Sequence, residues 1–117
     1  MLATGTIWLT VPETIAIEWN GSFQEGVCAG DAILFLCDRL RLDGGKYQAI
    51  EFSGSTVRGL SMQERMTLCN MTAELGAQTG LVAPDETTRN HLLAAGVPDA
   101  SLADLAFWRS DVLADRP

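Results

Sequence analysis

Residues 61–88, SMQERMTLCNMTAELGAQTGLVAPDETT, decide the fold that this sequence predicts. Ser61 and Glu64 form a capping box, in which the serine hydroxyl accepts a backbone N–H and the glutamate reaches back to the cap. The helix that begins there is expected to run to about Leu75. Gly76 then follows as a C-cap, because glycine adopts the left-handed conformation without steric cost.

The residues that follow this helix predict a strand and a second helix. The short apolar run Gly80–Ala83 is typical of a buried strand. Asp85 is a helix cap, and the helix that it starts is expected to end near Ala95. Gly96 and Pro98 are the stop signals there.

The rest of the chain alternates between strand and helix patterns. Alternating and β-branched residues predict strands, and apolar residues three to four apart predict helices. The predicted strands are Thr6–Val11, Thr14–Trp19 and Tyr47–Phe52. A helix is predicted over Asp31–Leu42, with Gly30 or Asp31 as its cap and Asp43-Gly44-Gly45 at its end. A last helix is predicted from Ser101, and its apolar residues are Leu102, Leu105, Phe107, Trp108 and Val112. A strand, helix, strand order suggests a crossover unit. Residues 1–117 therefore predict a single α/β domain with helices on a small sheet.

The charge balance excludes several classes of partner. The chain carries 8 basic and 15 acidic residues, for a net charge of −7, and 47% of its residues are hydrophobic. A globular fold is expected from this composition. Non-specific nucleic-acid binding requires a basic surface, and anionic membranes require a polybasic patch, so neither partner is expected.

Three cysteines, Cys28, Cys37 and Cys69, lie at wide spacings. An odd number without a Cys-x-x-Cys pair predicts neither a disulfide framework nor a metal site, and all three are interpreted as small buried apolar residues. The N-terminus shows no signal peptide pattern and no transmembrane stretch. The predicted location is the reducing cytoplasm.

Asn70 and Glu74 are the candidate functional residues. They are four apart, so a continuous helix places them on one face, with Met66 one turn earlier and Ala73 beside them. A carboxylate among apolar neighbours is costly to desolvate, so it requires a reason. One reason is a role in proton transfer or water orientation. The alternative is a local polar pair at the edge of the core.

The segment from Arg65 to Thr88, with its Cys-Asn-Met…Glu helix and Ala-Pro-Asp-Glu loop, resembles the aconitase superfamily. Within it the resemblance is to large subunits of the 3-isopropylmalate dehydratase and homoaconitase type, and it extends back to Ala3–Leu9 and, more weakly, on to Phe107–Ser110. It implies a three-layer α/β/α domain like one domain of the aconitase iron–sulfur core. The chain would be a fragment of such a large subunit.

The resemblance also implies an activity. A family hydro-lyase isomerises a small hydroxy di- or tricarboxylic acid by dehydration and rehydration, here of the 3-isopropylmalate or homoaconitate type used in amino-acid (leucine) biosynthesis. It implies that Asn70 lies against a [4Fe–4S] cluster, and that Glu74 hydrogen-bonds the water or hydroxyl on the open iron. The implied partners are the remaining large-subunit domains, a small swivel subunit and the hydroxy-acid substrate.

The cysteine motifs that hold the family's cluster are absent from this sequence. No cluster is therefore expected in the isolated chain, which is expected to be inactive alone. The alternative function is a stand-alone, non-catalytic binding or assembly module. Because truncation exposes surface that once met neighbouring domains, self-association is a further expectation.

Three other candidates receive structural interpretations. His91, the only histidine, has no second histidine or nucleophile motif nearby and is interpreted as a surface residue. Asp85-Glu86 could be a metal pair, but the Pro-Asp-Glu-Thr-Thr order favours a helix cap. The tryptophans are expected to be core or interface anchors rather than a base-stacking platform; they are Trp8, Trp19 and Trp108.

Overall fold

The computed structural model describes residues 2–41 and 44–108. Strands and α-helices alternate along the chain. They are β1 (Thr14–Glu18), α1 (Ala29–Leu40), β2 (Ala49–Ser53), α2 (Ser55–Gly59), α3 (Met62–Asn70), β3 (Thr79–Val82) and α4 (Glu86–Ala94). Two 3₁₀-helices follow α3 and α4 and span Met71–Leu75 and Asp99–Phe107.

The three strands form one parallel sheet in the order β1-β2-β3. Ile17 of β1 is opposite Phe52 of β2, which is opposite Val82 of β3. Parallel neighbours require a crossover connection, which α1 provides between β1 and β2. The predicted crossover unit is therefore confirmed.

The hydrophobic core lies between one face of this sheet and the helices α1 and α3. Its members are buried apolar side chains that belong to one cluster. They include Ile33 and Leu36 of α1, Ile50 and Phe52 of β2, and Leu68 and Leu75 in and after α3. The predicted α/β class is confirmed, and α1 and α3 form a helical layer on this face.

The opposite face of the sheet is covered less completely by the described residues. Thr14 and Glu18 of β1 and Leu81 of β3 are exposed there. Phe107 and Trp108, at the end of the second 3₁₀-helix, line a cavity of about 490 Å³ that borders Leu81.

Two predicted N-terminal elements differ in the structure. The strand predicted over Thr6–Val11 is wrong, since these residues form no strand and all of them are exposed. Helix α1 begins at Ala29, with Cys28 as its N-cap and the Asp31 carboxylate accepting the Cys28 backbone N–H at 2.9 Å. The helix therefore starts two residues earlier than predicted, because an acidic third residue reaches back to the cap.

Other boundaries shift by a few residues. Strand β2 begins at Ala49 rather than at Tyr47, whose positive φ of 64° is incompatible with a strand. The last predicted helix is a 3₁₀-helix that begins at Asp99 rather than Ser101. Predictions on Leu42, Asp43 and Val112 lie outside the described residues.

In the part of the chain that the structure describes, no helix combines the length and the apolar character that crossing a membrane requires.

Candidate functional site

The start of α3 has the geometry that the sequence predicts. The Glu64 backbone N–H donates to Ser61 Oγ at 3.3 Å, and Glu64 Oε2 accepts from the Ser61 backbone N–H at 2.8 Å and from its hydroxyl at 2.6 Å. These hydrogen bonds from Ser61 hold the pKa of Glu64 below its usual value. The capping box is confirmed, and it fixes the direction in which α3 leaves the loop.

One stripe of α3 and the turn after it faces the core. Arg65, Leu68, Thr72 and Leu75 are each at most 2% exposed. The Thr72 hydroxyl donates to the Cys69 carbonyl at 2.7 Å, which satisfies its buried polar atom. Because these four residues define the buried side, the exposed residues Asn70, Ala73 and Glu74 lie away from the core.

The helix changes type at Asn70. The α-helix ends at this residue and continues as a 3₁₀-helix to Leu75, so the expectation of one continuous helix is wrong. Gly76 ends the segment with a φ of 72°, as predicted. Since a 3₁₀-helix turns about 120° per residue instead of about 100°, residues four apart no longer lie directly above one another.

Asn70 lies on the wall of an open groove of about 720 Å³ between α3 and β3. The predicted neighbours Met66 and Ala73 line the same groove, as do hydroxyl, thiol and amide side chains. The full lining is Met66, Thr67, Cys69, Asn70, Thr72, Ala73, Gln78, Thr79 and Gly80. None of these residues carries a formal charge, since burial raises the pKa of the Cys69 thiol and keeps it protonated, so the groove is neutral and polar.

Gly80 sets the depth of this groove. A Cβ at this position would lie 2.7 Å from Cys69 Cα and 2.8 Å from the Cys69 carbonyl oxygen. No side chain fits into that space, so only glycine lets β3 approach the backbone of α3 this closely.

Glu74 lies on the 3₁₀-helix and is exposed, and it is not among the residues that line the groove. The structure therefore places Asn70 in the groove and Glu74 outside it. The described residues do not bury the carboxylate among apolar neighbours.

An ion pair that the sequence analysis missed connects α3 with the start of α4. Arg65 Nη1 donates to Asp85 Oδ1 at 2.6 Å and Nη2 to Oδ2 at 2.8 Å. The same buried guanidinium donates to the carbonyls of Leu60 at 3.1 Å and Arg58 at 2.9 Å. The signal that could have revealed it is the position of a charged residue on the buried stripe, since such a residue must have a partner.

Asp85 is also the N-cap of α4. Its Oδ1 accepts from the backbone N–H groups of Thr87 at 3.0 Å and Thr88 at 3.3 Å, as the sequence predicts. Hydrogen bonding to Arg65 is the largest of the effects that hold the pKa of Asp85 below its usual value. The carboxylate is thus occupied by structural contacts, which supports the capping interpretation over the metal pair.

The cysteines only partly match the prediction. Cys37 and Cys69 are partly buried, but Cys28 is exposed at the start of α1, so its predicted burial is wrong. Among residues 2–41 and 44–108, no group of three or more His, Cys, Asp or Glu side chains is arranged to hold a metal. The described residues therefore do not fit a cluster-ligand set.

The histidine and the tryptophans lie at the periphery. His91 is exposed on α4, as predicted. Trp19 is partly buried and contacts Phe23 edge to face, with ring centroids 5.8 Å apart. Trp8 and Trp108 are exposed, so neither of them is a core residue.

The parallel sheet, its crossover helices and the polar groove between α3 and β3 define an α/β protein. A protein-family model described as the aconitase family (aconitate hydratase) matches residues 1–113. The chain therefore belongs to the aconitase family.

Curated relatives share the same name. The chain is 45% identical over 111 residues to the 3-isopropylmalate dehydratase large subunit of Staphylococcus epidermidis, a match that covers 93% of this chain and 24% of that protein. It is 46% identical over 92 residues to 3-isopropylmalate dehydratase large subunit 1 of Methanopyrus kandleri, covering 79% and 22%. The Elusimicrobium minutum large subunit is 46% identical over 98 residues, covering 84% and 23%. The chain thus spans about a quarter of the length of these relatives.

Proposed function

We propose that this chain supplies one α/β domain, residues 1–117, of an aconitase-family hydro-lyase of the 3-isopropylmalate dehydratase or homoaconitase type. Two observations support it: the family match over residues 1–113 and relatives of that name at 45–46% identity. In this proposal the remaining large-subunit segments and a small subunit complete the enzyme. The substrate is a small hydroxy di- or tricarboxylic acid.

The single observation that carries the site assignment is the position of Asn70 at the end of α3, on the wall of the groove. A carboxamide carries N–H donors and no charge, so in the proposal Asn70 would lie against a cluster held by cysteines of other segments and would tune it by hydrogen bonding. Glu74, exposed one turn later, is positioned to meet a reacting centre contributed from outside the described residues.

The chemistry assigned to Glu74 is proton transfer. Dehydration removes a proton from one carbon and a hydroxyl from its neighbour, which yields an alkene and water. In the proposal Glu74 gives a proton to the departing hydroxyl and takes one back when water adds to the other carbon. The base for the carbon-bound proton, and the cysteine ligands of the family's [4Fe–4S] cluster, come from segments that this chain does not span.

The test is a chimera. In this chimera, this chain replaces the matched region of the Staphylococcus epidermidis large subunit. The chimera is combined with that organism's small subunit under anaerobic conditions and assayed for hydration of the alkene intermediate. We expect Glu74→Gln to lower kcat by about 10²–10⁴-fold, the range for loss of a general acid–base group. Asn70→Ala is expected to lower activity or cluster retention by about 10–100-fold, the range for loss of a group that supports a metal site.

Glu25→Gln is the matched control, since Glu25 is an exposed glutamate in the loop before α1. It should leave kcat unchanged. A Glu74→Gln chimera with turnover within twofold of the parent would contradict the role of Glu74. A folded but inactive parent chimera would contradict the wider proposal.

A non-catalytic assembly module is the second candidate. The observation that favours it is the exposed apolar stretch Ile7–Val11, which suits binding to another polypeptide whether or not catalysis follows. Normal turnover of the parent chimera would show that the chain does more than serve as a non-catalytic assembly module.

The proposed location is the cytoplasm. All three cysteines are free in the structure, which suits a reducing compartment.

A further inference from the structure

The most exposed apolar stretch of the described chain is Ile7–Val11, here called the N-terminal segment. Ile7 is 63% exposed, Trp8 99%, Leu9 71% and Val11 90%. Single exposed apolar residues are ordinary on protein surfaces, but four among five consecutive positions form a continuous patch. Such a patch requires a partner that removes it from water.

The composition of the segment is that of an inner strand. Isoleucine, tryptophan, threonine and valine all favour strands. In an extended conformation Ile7, Leu9 and Val11 would point to one side, and Trp8 and Thr10 to the other. Because large apolar residues occur on both sides, the pattern is typical of a strand covered on both faces.

The lack of charged residues is a second indication that the N-terminal segment is covered by a partner. Residues 2–12 contain no charged side chain, in a chain with 8 basic and 15 acidic residues. Edge strands that remain in solvent are normally protected by charges or bulges. Pro12 is the one breaker here, and it lies after the segment rather than within it.

The segment does not fold back onto its own sheet. Only Pro12 and Glu13 separate it from β1, and the Glu13 carbonyl already accepts the Ala49 backbone N–H at 2.8 Å. A two-residue hairpin would require a positive φ at its first position, which proline cannot adopt. Its strand partner therefore lies elsewhere.

We propose that the N-terminal segment binds as a β-strand to a sheet edge in the portion of an aconitase-family large subunit that this chain does not span. The inference rests on the proposed function. The relatives indicate which polypeptide carries that sheet edge, because the match covers only 24% of the Staphylococcus epidermidis protein and leaves the rest of the large subunit as the partner. The remaining three-quarters is contiguous with the matched region in that protein, so it is present at high effective concentration.

Hydrogen–deuterium exchange of the chimera tests the pairing directly. Backbone amides of residues 7–11 should exchange near the unstructured rate in the isolated chain. In the folded chimera, alternate amides should slow on the order of 100-fold, since strand amides exchange only after local opening. The exposed loop Gly21–Val27 serves as an internal reference.

Leu9→Pro is the decisive variant, because proline removes a ladder donor. It should abolish the protection of residues 7–11 and lower the yield of folded chimera at least tenfold. Leu2→Pro is the matched control, since Leu2 is also an exposed leucine but lies outside the segment, and it should change neither readout.

The outcomes separate this inference from the function itself. An active chimera whose residues 7–11 stay unprotected would overturn the strand pairing and leave the function intact. Protection without turnover would support the pairing and contradict the function. Concentration-dependent protection in the isolated chain, with a dimer in light scattering, would identify a second copy as the occupant and overturn the proposal.

Discussion

Two regions of this chain contain similar amounts of local sequence signal and differ in what they contact. Between residues 61 and 88, caps, the buried stripe and the Arg65–Asp85 pair satisfy one another within the chain. Between residues 6 and 11, a strand-like sequence lies entirely in solvent. Local preference is present in both regions, but only the first finds its tertiary partners inside this polypeptide.

The difference indicates that residues 61–88 stabilise the fold of this chain, whereas residues 6–11 serve its association with another polypeptide. The first region should contribute more to the free energy of unfolding, because it buries Leu68 and Leu75 in the core and its polar groups are paired. The second should contribute little to that free energy and much to association. The predictions below separate the two.

The largest effect is expected from Arg65→Met. The change removes the guanidinium that donates to the carbonyls of Leu60 and Arg58 and to the Asp85 carboxylate, which keeps only its capping hydrogen bonds. Because the Arg65 side chain is 2% exposed but Asp85 is 35% exposed, the loss should exceed that of an exposed pair and reach only the lower end of the buried-pair range, about 2–3 kcal/mol. Urea unfolding followed by circular dichroism should show this as a lower midpoint.

Arg89→Met is the matched control, because Arg89 is a half-exposed arginine that pairs with the exposed Asp99 and Glu86. An exposed pair contributes about 0–1 kcal/mol. Equal losses in the two variants would show that burial of Arg65 adds nothing to its contribution.

Acid stability depends on the same ion pair. Since Arg65 lowers the folded-state pKa of Asp85, the stabilisation is fully present above the unfolded pKa of about 3.9. It is lost as pH falls through the lower, folded value. The free energy of unfolding should therefore decline in that acid range, and Arg65→Met should flatten the decline. An unchanged pH profile in the variant would contradict this assignment.

A smaller loss is expected from Gly80→Ala. The added Cβ would meet the Cys69 backbone at 2.7 Å, so β3 and α3 must separate. Overpacking of this kind costs about 1–3 kcal/mol. The same measurement applied to Gly59→Ala is the control, because no heavy atom lies within 4 Å of its added Cβ. A loss as large in Gly59→Ala as in Gly80→Ala would contradict the steric explanation.

These residues also show what the sequence could predict. Both caps, Ser61 with Glu64 and Asp85 with Thr88, were predictable because each is a contact between residues three apart. The stripe position of Arg65 indicates that it needs a partner, but the identity of that partner was not predictable, since Asp85 is 20 residues away and its place depends on how α4 follows β3.

The candidate site was predicted only in part, for a related reason. Asn70 and its neighbours Met66 and Ala73 share the groove because all three are placed by α3 and the turn after it. The change to a 3₁₀-helix at Met71 has no local signal that the periodicity could detect. It accompanies the close approach of β3 at Gly80, which is a tertiary contact. The strand predicted over Thr6–Val11 is wrong for the same physical reason, since propensity does not specify a partner strand.

A loss of about 1 kcal/mol is expected from Ser61→Ala, which removes the hydroxyl that accepts the Glu64 backbone N–H. The same change also removes a hydrogen bond to the Glu64 carboxylate, so the pKa of Glu64 should rise towards its usual value. Thermal unfolding and NMR titration of the carboxyl carbon measure the two effects. Ser22→Ala, in the exposed loop after β1, is the control, and a Glu64 pKa unchanged by Ser61→Ala would contradict the capping box as its cause.

The smallest effect is expected from Trp8→Ser in the isolated chain. Because the Trp8 side chain is 99% exposed, its removal forfeits almost no buried area, and the free energy of unfolding should change by less than about 0.5 kcal/mol. Leu68→Ala, which removes a side chain only 1% exposed, should cost about 2–5 kcal/mol in the same urea titration. A comparable loss in Trp8→Ser would mean that the N-terminal segment packs within this chain, and the contrast between the two regions would disappear.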